Sequence, residues 1–514
     1  MRKATIAAAL IAAMMATGAE AKWLRADTDN FIIYSEGSER SLHSFAEDLQ
    51  RFDATLRLRL RVAGGKEPNR LTIYLVPRAA DAGRLATGKS GSSIAGFYSA
   101  DLDGSYAVSN REIVKFKGTS ASQQTLFHEY THHFMKRYFG AAFPAWFIEG
   151  FAEFYSTADF TSKGHYQVGR PAYFRAHGLV NMPRIPVEDL LLKQPREMRS
   201  SGQMDVYYGR AWLLTHMLYY DPDRAGQLTA YIEAINRGEE GEKAAVAAFG
   251  DLAVLDRDLQ RYLGRSLTYM TSAAPIPVPG TITVTPLPHA EDALVQWQLE
   301  RRSARDSERL AEVRDGLKAL TAEYGNSANV WYELARAEWD LGDEKREAAA
   351  ARAAVVKALA IEPKHVRANI LLGEMLIHDL GKKDDPSTED WAAARKPIIL
   401  ANRTDPDDPV PLYAYHESFL QQGIMPPKIA VTGLERAFAL GPESASARIA
   451  YAFALARNGD FERAARLAKV VAFDPHDGGQ GEQILAQIET MRKRSDDAEK
   501  GTADLSATTG AKVQ

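Results

Sequence analysis

Residues 127–153 read FHEYTHHFMKRYFGAAFPAWFIEGFAE. His128 and His132 stand four positions apart in a run of helix-forming residues, so their imidazoles leave one face about one turn apart and form a chelate. Neutral imidazoles in that arrangement suit Zn²⁺. Glu129, next to the first histidine, is placed to serve as a base toward water. In a chain with 12 histidines the pattern His-Glu-x-x-His arises by chance with a probability on the order of one or two percent, so coincidence is a weak rival. A third donor must come from elsewhere. Pro144 opens a second short helix, on which Glu149, 17 positions past His132, and Glu153, one turn further, face the same way. Geometry alone does not choose between these two carboxylates.

The stretch sits in a chain of 514 residues, 45% hydrophobic and 25% charged, enough for two or three cores. A net charge of −4 without a basic stripe argues against nucleic-acid binding. There is no cysteine, which excludes disulfides, a lipid-bearing cysteine and thiolate metal ligands. The N-terminus carries Arg2 and Lys3, an apolar run and an Ala19-Glu20-Ala21 cleavage pattern, the parts of a secretory signal peptide over 1–21. The mature chain is expected to begin at Lys22, with an uncleaved anchor as the alternative. No later segment reads as a membrane span, and an exported chain without cysteine fits the bacterial periplasm or secretion.

Upstream of the histidines, Phe31–Tyr34 and Leu71–Val76 read as strands separated by a helix with Leu42, Phe45, Leu49, Phe52 and Leu56 on one face. Ala95–Ser99 and Ser105–Val108 read as a hairpin turning through Asp101–Gly104, either plain scaffold or an edge for an extended peptide. Downstream, residues 161–195 have weak periodicity and read as a long loop or lid. A strong helix follows from Asp205 to Leu218, and further helices complete the mainly helical second half of this domain.

Pro275, Pro277, Pro279, Pro286 and Pro288 mark a linker over 272–289. Beyond it the chain is Ala-rich and repetitive. Gly342, Gly381, Gly423 and Gly459 each close a first helix, and Pro363, Pro406, Pro442 and Pro475 each follow a second, at intervals of 43, 36 and 33 residues. Residues 331–343 (WYELARAEWDLGD) and 447–475 (ARIAYAFALARNGDFERAARLAKVVAFDP) resemble tetratricopeptide repeats. The tail, 491–514, is polar and expected to be disordered.

Residues 144–154 (PAWFIEGFAEF) are similar to the W-x-x-E-G-x-A-E segment of peptidase MA-like proteins and the W-L-N-E-G-F-A segment of aminopeptidase N relatives, both within the gluzincin clan of zinc peptidases. The resemblance implies that Glu149 is the third zinc ligand and leaves Glu153 to accept the N–H of a ligating histidine. Residues 208–218 (YGRAWLLTHML) resemble without a gap the Y-E-K-G-A-x-x-L-H-M-L run of the same relatives. That implies an oxyanion-stabilising role for Tyr208, with Tyr207 as the neighbouring fallback. No G-x-M-E-N segment precedes the zinc helix, so endopeptidase action is favoured over aminopeptidase action. His133 is expected to be structural or to support a ligand, His165 and His177 to be surface residues, and His216 to be a packed core residue.

The expectation is an α+β gluzincin-like catalytic domain over 22–271, a small sheet plus helices, then an all-α tetratricopeptide-like domain over 290–490. It would be an exported metallopeptidase with one Zn²⁺ on His128, His132 and Glu149, Glu129 as base and Tyr208 as oxyanion donor. Its partners would be a peptide or protein substrate and a protein bound by the repeats. The alternative is a non-catalytic periplasmic scaffold with a structural or vestigial metal site.

Overall fold

Along β2 (Phe31–Ser35) buried Phe31, Ile33 and Ser35 alternate with half-buried Ile32 and Tyr34, the period of a strand. In β3 (Leu71–Val76) and β5 (Tyr106–Asn110) burial is nearly continuous, because both faces of these central strands are covered. A computed structural model describes residues 22–92, 94–112, 120–342, 348–475 and 480–510. The expected signal peptide lies outside them.

β2, β3 and β5 run parallel, and antiparallel strands flank them: β4 (Phe97–Ser99) beside β5, and β1 (Leu24–Asp27) beside β2. The full order is β4-β5-β3-β2-β1-β9, where β9 is Thr283–Pro286. On one face of this sheet lie α1 (Glu39–Leu60) and α3 (Ala121–Tyr138), which join Phe31, Ile33, Ile73 and Ala107 in the main core. On the other lie α2 (Ala79–Thr87) and α11 (His289–Ser303), whose Ala82, Leu85, Val295 and Leu299 pack on Tyr74, Val76, Tyr106 and Val108.

Three expectations need correction. The Pro-rich stretch is more than a linker, because β9 pairs antiparallel with β1 and completes the sheet. Pro286 is tolerated there because it ends an edge strand, where a missing N–H breaks no interior ladder. Residues 161–195 are not an open loop. Tyr166–Val168 (β7) joins Asp159–Phe160 (β6) and Met270–Thr271 (β8) in a small sheet, and Ile185, Val187, Leu190 and Leu191 enter the core. The short helices α5 (Ala176–Asn181) and α6 (Val187–Leu192) carry that segment. Nor are residues 491–510 irregular, since the last helix, α21, spans Gln480–Gly510, while 511–514 of the expected disordered tail lie outside the described residues. Residues 482–500 contain neither Gly nor Pro, and buried Ile488 anchors the helix on the final repeat.

The rest of the N-terminal body is helical: α4 (Ala145–Ser156), α7 (Ser201–Tyr220), α8 (Gln227–Arg237), α9 (Gly241–Phe249) and α10 (Leu252–Leu263). After α11 come α12 (Ser307–Glu323), α13 (Ala328–Leu341), α14 (Ala348–Ile361), α15 (Val366–Leu380), α16 (Thr388–Thr404), α17 (Pro409–Gln421), α18 (Lys428–Leu440), α19 (Ala445–Arg457) and α20 (Phe461–Ala472). Each packs chiefly on its neighbours in sequence, which is the organisation of a helical-repeat solenoid. Small residues such as Ala335, Ala354, Ala358 and Ala368 bring the helices close. The solenoid returns to the N-terminal body through Arg137–Glu443 at 2.8 Å, Lys136–Asp474 at 2.5 Å and Arg367–Asp103 at 2.7 Å. No described helix is long and apolar enough to cross a membrane.

Candidate metal centre

Helix α3 begins at Ser120, whose hydroxyl accepts the Gln123 N–H as an N-cap. Its Leu126, Phe127, Tyr130 and Phe134 are buried. Phe127 stacks on Phe52 of α1 at 3.9 Å between ring centroids, and the Tyr130 hydroxyl donates to Asp53 at 2.5 Å. Arg57 and Asn30 hold the same Asp53 carboxylate. These contacts fix the rotation of α3 and turn His128 and His132 the other way, toward α4.

Helix α4 brings Glu149 and Glu153, both essentially without exposure. His128 Nε2 and His132 Nε2 are 2.9 Å apart, and Glu149 Oε2 lies 3.4 Å from the first and 3.5 Å from the second. A tetrahedral zinc ion with bonds of about 2.0–2.1 Å has ligand–ligand edges of about 3.3–3.4 Å. The two edges to Glu149 match one face of such a site, the His128–His132 edge is about 0.4 Å shorter, and two imidazoles with one carboxylate are a donor set that zinc accepts. All three donors lie within 4.8 Å of one another.

Glu153 stands behind the ligands, its Oε1 3.4 Å from His128 Nδ1. Burial would lower the His128 pKa, but hydrogen bonding to Glu149 and the charges of Glu153, Glu129 and Glu149 outweigh it and push it up to about 9. The charge of Glu129 also raises the pKa of Tyr208, so its carboxylate belongs to the same electrostatic site.

Tyr208 arrives on α7, its ring edge-on to His128 at 6.2 Å between centroids. The charge of Glu149, then burial, then Glu153 raise its pKa, so the phenol stays protonated. Tyr207 is directed elsewhere: fully buried, it donates to the Lys193 carbonyl at 3.0 Å. His133 turns away to the Tyr98 hydroxyl of β4 at 3.0 Å, and burial lowers its pKa to about 4. His165 Nδ1 meets the Ser272 carbonyl at 2.9 Å, while His177 is exposed. His216 is buried between the Tyr262 hydroxyl and the carbonyls of Gly169 and Thr268.

One residue of the site lies beyond what the sequence pattern marks. Arg175 grips Glu153 with contacts of 2.6 and 3.2 Å. It belongs to the stretch that reads as a loop, and a lone arginine there has no spacing that distinguishes it.

No family model matches the chain. Nor does any curated protein match it. Among solved structures, TTC0263, described as a thermophilic TPR protein in Thermus thermophilus, is 17% identical and covers 39% of this chain and 98% of its own, with a TM-score of 0.32. The MamA RS-1 ArsTM double mutant is 20% identical and covers 35% and 94%, with a TM-score of 0.25. Likeness at these scores carries no argument about activity.

Proposed function

We propose that this chain is an exported zinc-dependent peptidase of gluzincin type, cutting within peptide chains and carrying a helical-repeat domain for a substrate or partner protein. The observation that carries the reading is the donor triangle of His128, His132 and Glu149, with Glu129 beside it. Zinc, when bound, supplies a Lewis acid that activates water and polarises a carbonyl. Glu129 takes the proton from the attacking water and returns it to the leaving amine. Tyr208, a phenol held in its protonated form, donates a hydrogen bond to the oxyanion that develops on the substrate. Glu153 accepts the Nδ1–H of His128 and leaves Nε2 for the metal. Export rests on the signal-peptide pattern of residues 1–21.

The second reading is a protein-binding scaffold with a structural or vestigial metal site, and the solenoid supports it. A cleft of ≈ 210 Å³ in the repeats, lined by Tyr413, Ile449 and Phe453 with Glu417 and Arg457 beside them, offers apolar and charged groups to a partner. Among the described residues the cluster has three donors, which favours the peptidase, since a closed structural zinc site takes four protein ligands.

The deciding experiment incubates the mature chain with a mixed peptide library, with and without a zinc chelator, and reads the products by mass spectrometry. Cleavage that the chelator abolishes supports the peptidase. Absence of cleavage in both arms moves the conclusion to the scaffold.

A further inference from the structure

We propose that Arg175 is a positioning residue for the metal centre, clamping Glu153 against His128 while its guanidinium lies on the ring of Tyr208. This inference rests on the metal-site reading above. The guanidinium contacts three parts of the site. Nη2 is 2.6 Å from Glu153 Oε1 and Nε is 3.2 Å from Oε2, a bidentate fork on one carboxylate. Nη1 is 2.8 Å from Asp205 Oδ1, on α7 one turn before Tyr208. Its central carbon lies 5.1 Å from the centroid of the Tyr208 ring. The same Glu153 Oε1 faces His128 Nδ1, so a continuous line runs from Arg175 through Glu153 to a metal-binding imidazole.

The approach of Arg175 is built into the backbone. A β-carbon on Gly178 would stand 2.4 Å from Asp205 Oδ2, and one on Gly209 would stand 2.9 Å from Leu179 Cγ and 3.4 Å from Arg175 Cβ. Glycines at these positions let the 173–181 segment lie against α7 without displacing the Asp205 and Leu179 side chains, which brings the guanidinium within reach of α4.

The chemistry requires such a cation. Glu153 is 1% exposed and shares its surroundings with the carboxylates of Glu149 and Glu129. A buried carboxylate beside others is costly without a paired, hydrogen-bonded partner. The planar fork of arginine fixes both oxygens at once, whereas a lysine meets one. With Glu153 fixed, the imidazole of His128 is held in one tautomer and one orientation. The competing account is an ion pair that only pins the 173–181 segment to α7, which would affect stability and nothing else.

The test measures zinc affinity of the full mature chain by competition with a chromophoric chelator, alongside the thermal midpoint of each metal-free variant. Arg175→Ala is expected to weaken zinc about 10–100-fold, the range for groups that orient ligating histidines. Glu153→Ala should do the same, and the double variant should be no weaker than Glu153→Ala alone. Arg175→Lys should fall between Arg175→Ala and the parent. An Arg175→Ala affinity equal to that of the parent, or losses that multiply in the double variant, would overturn the proposal. If Arg175→Ala does not fold, Arg175→Lys decides: weaker zinc binding that vanishes in the Glu153→Ala background supports the clamp, and parental affinity refutes it. A parent chain that binds zinc but cuts no peptide sinks the peptidase reading while leaving this inference to the affinities. A parent that binds no zinc overturns both.

Discussion

Gly150 of α4 lies so close to α7 that a β-carbon there would stand 2.4 Å from the Ala211 carbonyl oxygen and 2.4 Å from Thr215 Oγ1. This contact is immediately beside Glu149 and one turn before Glu153, and it sets how near both come to Tyr208. Gly150→Ala must push the helices apart, because a backbone carbonyl cannot rotate away. The expected cost is about 1–3 kcal/mol of overpacking, read as a lower unfolding midpoint together with weaker zinc binding. A variant with parental values of both would show that the close approach is dispensable.

Glu129→Gln keeps size and removes the proposed base. Peptide hydrolysis should fall about 10²–10⁴-fold, the contribution of a placed acid–base group. Zinc content by elemental analysis should be unchanged, since the proposed donors are His128, His132 and Glu149.

Tyr208→Phe should lower kcat about 10²–10³-fold, as loss of one oxyanion donor does, with little change in KM. Tyr207→Phe separates the two neighbours. Its hydroxyl is committed to the Lys193 carbonyl, so the loss should be about 1 kcal/mol of stability, with kcat retained. Equal kinetic effects from both variants would remove Tyr208 from its assigned role.

His216 predicts a pH dependence of stability. Burial lowers its pKa to about 4, against the pull of the Thr268 and Gly169 carbonyls. The Nε2–H donates to those carbonyls and Nδ1 accepts from the Tyr262 hydroxyl at 2.9 Å, an arrangement of the neutral ring. The unfolded chain binds a proton near pH 6.5 and the folded chain does not. The contribution is therefore complete above about pH 6.5 and lost as pH falls toward 4, up to about 3 kcal/mol. Urea unfolding at pH 7 and pH 5 should show this decline in the parent, and less of it in His216→Phe.

What can be read from the sequence follows from how local each signal is. His128 and His132 share one helix, and the Gly and Pro positions punctuate each repeat, so a few neighbouring residues carry the information. Tyr208 is reached through a resemblance over one continuous helix. Arg175 and the pairing of β9 with β1 are out of reach, because each is defined by a partner distant in the chain. The choice between Glu149 and Glu153, which face the same way, needs a similarity to settle, and the structure then places Glu149 at the imidazole Nε2 atoms and Glu153 at Nδ1. The stretch after α4 misleads because its strands and helices are short, leaving too few turns for a period to emerge.

The pairing of β9 with β1 also sets an order of assembly. Leu24–Asp27 leaves the ribosome early and meets β2 at once, yet its other edge waits for Thr283–Pro286. Trp23, 1% exposed and bonded through its backbone N–H to the Asp292 carboxylate at 2.6 Å, waits for α11, just beyond that segment. The N-terminal half is therefore unfinished until the first helix of the solenoid has been made. A chain cut after residue 271 would keep every proposed catalytic residue and still present a bare strand edge, an invitation to pair with another copy. Light scattering of that fragment should show self-association, and the two halves are best regarded as one unit of synthesis and folding.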